Sequence, residues 1–195
     1  MPRILLSLNA ALARETTIDG RRVMTAIGKR SVEGRRRVHA LGLEGDEQAD
    51  LSVHGGMGKA LYAYPSEHYA FWDTVRAQAG VAGWNEKLAP GALGENLTLA
   101  GAPLESEACV GDLLRFPDCT LAVSEPRYPC FKFNAAMGFK HASKAMVAQA
   151  WCGYHLAVRV PGSIAGGETF EWVNGPREVT IAEIFRSRIA RRAER

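Results

Sequence analysis

Ser124-Glu125-Pro126-Arg127-Tyr128-Pro129-Cys130-Phe131-Lys132 is the stretch on which the reading of this chain turns. The apolar run before it, Thr120-Leu121-Ala122-Val123, reads as a buried strand. Its two prolines, three positions apart, each fix φ and lack an N–H donor, which excludes both a ladder and a helix here. Cys130 is therefore expected on a rigid loop at a strand end, with Arg127 and Lys132 nearby. Neighbouring cations favour the thiolate, the form that attacks electrophiles and binds metals. The competing reading makes Cys130 a small buried hydrophobe, as most free cysteines are.

Working outward, Val110-Gly111-Asp112 precedes an apolar strand at 113–116, which pairs with 120–123 as an antiparallel hairpin. Downstream, 143–151 reads as a helix, 154–160 alternates as a strand, Pro161-Gly162-Ser163 reads as a turn, and 169–173 is a last strand. Thr180-Ile181-Ala182-Glu183 has the form of a capping box and opens a terminal helix. Upstream, strands are expected at the N-terminus, at 23–27, at 37–41 and after the turn at Gly94. Pro65-Ser66-Glu67 opens a helix, with Tyr69, Phe71, Trp72 and Val75 along one face. Short strands between glycine turns, with two or three helices, predict a mainly β chain: a β-rich α+β fold of barrel or sandwich form. The absence of a βαβ rhythm argues against a dinucleotide-binding sheet.

The 195 residues fit one domain with a sizeable core. No apolar run is long enough to span a bilayer, and the N-terminal apolar stretch is too short for a secretory signal, so a cytoplasmic protein is expected. The net charge of +3 is misleading, because the last ten residues hold five Arg and one Glu. That leaves 19 basic against 20 acidic side chains, a near-neutral body that argues against a nucleic-acid binder. The basic end reads as the solvated end of a helix. Cys109, Cys119, Cys130 and Cys152 form no Cys-x-x-Cys pair, so free thiols are expected rather than disulfides or a zinc site.

Glycine segments supply further candidates. In Val53-His54-Gly55-Gly56-x-x-Lys59 the paired glycines allow close backbone approach, and Lys59 can face an anion. Gly42-x-x-Gly45-Asp46 and Gly94-Glu95-Asn96-Leu97 set carboxylates and an amide beside turns, where they can bond a heterocycle or simply stabilise the turn. Arg35-Arg36-Arg37, near Lys29-Arg30, would suit a small anionic ligand. A Ser124–His54–Asp46 triad lacks the Gly-x-Ser-x-Gly elbow. A metal-free thiol hydrolase using Cys130 and His54 remains open.

Together these motifs, with Lys59-Ala60-Leu61-Tyr62 and the later Gly153-Tyr154 and Pro161-Gly162-x-Ile164, fall in the order of the MOSC domain, named for the C-terminal part of molybdenum cofactor sulfurase. The chain resembles its stand-alone bacterial YiiM-like branch from about 20 to 173, giving a MOSC domain over 1–175 and a short basic helix, the remnant of a helical extension, over 176–195. The resemblance implies a β-barrel-like fold holding the molybdenum cofactor (molybdopterin), with Cys130 as metal ligand. It implies anion-binding roles for Arg127, Lys132 and Lys59, and places His54, Gly55, Gly56, Asp46, Glu95 and Asn96 around the pterin or substrate. It further implies reduction of small N-hydroxylated compounds, such as hydroxylaminopurines and amidoximes. Electrons would come from a separate flavin-type reductase, since the chain shows no flavin or iron–sulfur signature. The oligomeric state stays open. The alternative is a non-catalytic carrier of the cofactor or its sulfur.

Overall fold

The structure, a computed structural model, describes residues 2–49 and 55–194. In chain order the elements are β1 (Ile4–Ala10), β2 (Arg14–Ile18), β3 (Arg21–Thr25), β4 (Arg30–Ser31), β5 (Arg36–His39), β6 (Gly42–Leu43) and β7 (Leu61–Pro65). Then come α1 (Tyr69–Gln78), β8 (Leu97–Ala100), β9 (Leu113–Arg115), β10 (Thr120–Pro126), α2 (Phe131–Met137) and α3 (Ala142–Gln149). The chain closes with β11 (Tyr154–Val160), β12 (Gly162–Ile164), β13 (Glu171–Val173) and α4 (Ile181–Ala193). Among the described residues, no helix is long and apolar enough to cross a membrane.

The mainly β, α+β expectation holds. An eight-stranded sheet runs β13-β9-β10-β11-β7-β8-β1-β4, antiparallel throughout except where β7 lies parallel to β8. The barrel does not close as a continuous ladder. The outer edge of β1 is shared between the two-residue β4 and a single bridge from Ile4 to Thr169, with Gly167 (φ 87°) bending the incoming chain. Bonds from Leu5 N–H to the Glu168 carbonyl (2.8 Å) and from Phe170 N–H to the Arg3 carbonyl (3.1 Å) hold the two ends together without a full strand pair.

β7 is buried along its whole length, as its unbroken apolar sequence requires. Its tyrosines sit in the core with their polar tips satisfied. Trp72 Nε1 donates to the Tyr64 hydroxyl at 2.6 Å, and that hydroxyl donates to the Trp151 carbonyl at 3.1 Å. β11 starts beside β7 only because residue 153 is glycine: its φ is 63°, and a Cβ there would lie 2.4 Å from the Ala63 carbonyl oxygen.

Three local expectations are corrected. β10 continues through Pro126, which pairs with Tyr154, because β9 covers only Thr120 to Ala122 and proline is tolerated at a strand end beyond that ladder. The turn expected at 161–163 instead gives β12, which pairs with β5. A fourth helix, α2, begins directly after Cys130. It buries Phe133 and Met137, one turn apart, and is stopped by Gly138 in the left-handed conformation.

Candidate functional site

The site is assembled at the end of β10. Register against β11 shifts between Val123 and Glu125, so the strand bends at Ser124 and re-aims the residues that follow. After Arg127 to Pro129 the chain reaches Cys130, whose extended backbone (φ −124°, ψ 175°) makes it the N-cap of α2. Its carbonyl accepts the Phe133 N–H at 2.9 Å, but its side chain makes no capping bond. N-caps are normally Ser, Thr, Asp or Asn, whose oxygens satisfy the first helical N–H groups. Here a thiol occupies the position, half-buried in the wall of a cavity of about 300 Å³.

Arg127 is the second wall residue. Only 8% of it is exposed, and its guanidinium lies 4.6 Å from the Phe133 ring centroid and 5.5 Å from that of Tyr62. An Nη donates to the Met146 sulfur at 3.6 Å. Among the described residues no carboxylate lies within ion-pair distance of it. Desolvated cation–π contacts are worth about 2 kcal/mol, less than the several kcal/mol that burying a lone cation costs. An anion in the cavity would make up that difference.

The cavity is also lined by Lys29 and Asp46, an ion pair whose side chains are 8% and 5% exposed. Burial pushes the Lys29 ammonium below the ordinary lysine value, against the pull of Asp46. Asp46 also accepts the Ala11 N–H at 2.9 Å and the Asn96 amide at 2.8 Å. Asn96 comes off the turn at Gly94, whose φ of 91° and contact with Ile27 leave no room for a Cβ. Lys59 ion-pairs with Glu125 at 3.9 Å, and the Lys132 ammonium donates to the Met24 carbonyl at 2.7 Å, tying α2 to the β2–β3 hairpin.

Of the residues singled out in the sequence, Cys130, Arg127, Lys132, Lys59, Asp46 and Asn96 line this one cavity. His54 lies outside the described residues. Gly55 and Gly56 are not among the lining residues; the Gly56 N–H is bonded to the Gln48 side chain at 3.1 Å. Glu95 does not line it either. It is fully buried, accepting from Gly91 N–H (2.7 Å), Leu93 N–H (3.2 Å), Thr98 (2.8 Å) and the Tyr69 hydroxyl. Burial pushes its carboxyl above the ordinary value, with those donors opposing. It braces the 91–98 turn. Of the upstream basic cluster only Lys29 reaches the cavity, whereas Arg35 bonds Glu168 and Ser163 instead. The cavity also takes in Tyr62, from the Lys59–Tyr62 motif, and residues that sequence reasoning passed over: His155, and Arg188 and Arg192 of α4. The two arginines carried a signal, since 185, 188 and 192 recur on one helical face.

Residues 50–171 match the family model of the MOSC domain. This chain belongs to the MOSC domain family. It is similar to the protein YiiM of Escherichia coli K12, at 35% identity over 159 residues, covering 82% of this chain and 68% of that protein. A protein named "Reductase" from Gibberella moniliformis is 32% identical over 176 residues, which are 90% of this chain but 30% of that protein. The crystal structure of YiiM from Geobacillus stearothermophilus superposes with a TM-score of 0.75 at 28% identity, covering 98% of this chain and 86% of that one.

The MOSC family is associated with the molybdenum cofactor, and the donor set here fits such a group. The cavity offers one soft thiol, a buried guanidinium with no carboxylate partner among the described residues, and six cationic side chains against three carboxylates in its described lining. Among the described residues, no three His, Cys, Asp or Glu side chains converge, so a metal here would draw its remaining ligands from a cofactor.

Proposed function

We propose that this MOSC protein is a molybdenum-cofactor-dependent reductase of small N-hydroxylated compounds, working in the cytoplasm with electrons from a separate flavin-type reductase. The observation that carries this reading is the placement of the Cys130 thiol in a cavity with an excess of cations. Similarity to a protein named "Reductase" supports the reaction class.

Cys130 is assigned as the metal ligand. The α2 N-terminus and the bend at Ser124 fix its position, and its side chain takes no part in capping. Arg127 supplies a pre-oriented, desolvated positive charge, clamped by Phe133 and Tyr62, for the anionic parts of the cofactor. Lys59 and Lys132 add charge at the sides. Lys29, Asp46 and Asn96, whose polar atoms already bond one another, shape a further part of the lining. When bound, the molybdenum cofactor supplies the two-electron chemistry of oxygen removal. The protein's part is to bind, orient and exclude water.

Metal and pterin analysis of freshly purified protein, beside Cys130→Ser, tests the reading. Molybdenum and pterin near one per chain are expected. The variant should lose the metal and N-hydroxylamine reduction while remaining folded. Full reduction by Cys130→Ser, or no molybdenum despite ample cofactor supply, would refute it.

A further inference from the structure

Helix α4 does more than pack. Ile181 and Phe185 are fully buried, and Phe185 stacks on Tyr128 with ring centroids 5.4 Å apart and planes at 11°. Tyr128 thus becomes a platform anchored to the core, two residues before Cys130. Over its ring lie Arg188, at 4.4 Å, and Arg192, at 5.7 Å. Both are exposed, both line the cavity that holds Cys130, and neither ion-pairs with any described carboxylate. Glu125, another carboxylate of this cavity, is paired with Lys59.

Two like charges one helical turn apart repel each other. The field at a helix C-terminus favours basic residues there, but it does so whichever way they point. Arg191, in the same last turn, does not line the cavity, whereas Arg188 and Arg192 converge on one ring beside it. A guanidinium stacked on an aromatic face is held ready for a planar, bidentate contact with phosphate oxygens. Lys132, which also lines the cavity, adds a third cation without a described ion pair.

We propose that Arg188 and Arg192, on the Tyr128 platform and with Lys132 lining the same cavity, form a receptor for a phosphate monoester. The phosphate belongs either to the substrate, making it an N-hydroxylated nucleotide rather than a free base, or to the cofactor. The identity of the reacting group rests on the reductase reading; the anion site rests on geometry alone.

The test compares binding of N4-hydroxycytidine and its 5′-monophosphate to three proteins: wild type, Arg188→Gln/Arg192→Gln, and the equally neutralised Arg186→Gln/Arg191→Gln. Molybdenum and pterin content is measured alongside. Gln keeps helix propensity at these exposed positions, so α4 should persist, and thermal melts check that it does. If the substrate carries the phosphate, wild type prefers the monophosphate by about tenfold or more, as one or two charge-assisted bonds require. That preference then collapses in the 188/192 variant but not in the 186/191 variant. If the cofactor carries it, pterin and molybdenum content falls in the 188/192 variant alone. Unchanged preference and unchanged content, or equal effects in both variants, overturns the proposal. Wild type without molybdenum but with the phosphate preference intact would sink the reductase reading and leave the anion site standing.

Discussion

Asn96 holds Asp46 at the cavity wall through an Nδ2 to Oδ2 bond of 2.8 Å. The same amide donates to the Asn9 carbonyl at 3.2 Å, while its oxygen accepts the Tyr62 N–H at 3.1 Å. One buried side chain therefore joins β1, β7 and the turn that carries Asp46. Replacing it by leucine removes three hydrogen bonds. At roughly 1 kcal/mol net apiece, Asn96→Leu should lose about 3 kcal/mol in urea denaturation. A loss under about 1 kcal/mol would mean that Asp46 is positioned by Lys29 and Ala11 without Asn96.

Lys29 faces the opposite problem, a cation kept buried by one carboxylate. Lys29→Met strips the buried Asp46 of its ion-pair partner, so a loss of about 3–5 kcal/mol is expected. Adding Asp46→Asn should restore part of that loss, and the double-mutant cycle measures the coupling. The pH dependence has a definite sign. The folded-state value of Lys29 lies below the unfolded one, with burial as the main cause. Between those two values the unfolded chain binds more protons, so wild-type stability rises with pH relative to Lys29→Met. A difference that shrinks as pH rises through that window would contradict the burial argument.

What the sequence revealed depended on how local each signal was. The hairpin of β9 and β10, the strand β11 and the Thr180–Glu183 cap were legible because alternation and capping are written within a few residues. Cys130, Arg127 and Lys132 could be grouped because the chain itself keeps them close. Glu95 and Asn96 could not be told apart: adjacent residues on a turn point different ways, and only the folded turn shows that Glu95 braces it while Asn96 reaches the cavity. Helix α2 was hidden by its length, since seven residues give too little periodicity beside two prolines. Arg188 and Arg192 read as a solvated helix end because their destination is fixed by the docking of Phe185 on Tyr128, a contact between distant parts of the chain.

The four cysteines divide sharply by setting, and this bears on every use of a Cys130 variant. Cys109, Cys119 and Cys152 are at most 2% exposed. Burial raises all three thiols, that of Cys119 to about 12. A thiol held that far up is scarcely ionised at pH 8, so it reacts slowly with iodoacetamide. Cys130 is half-buried in the cavity wall. Native protein free of cofactor should therefore take up one label per chain quickly, and three more only on unfolding. Cys130→Ser should take up none before it unfolds. The substitution also puts a hydroxyl at the α2 N-cap, where the thiol makes no capping bond. Serine at such a position gains up to about 1 kcal/mol, so the variant should be as stable as wild type or more so. Intact stability with molybdenum lost would assign the thiol to the metal. A drop of more than about 1 kcal/mol would instead return Cys130 to the core, the reading its residue type alone would favour.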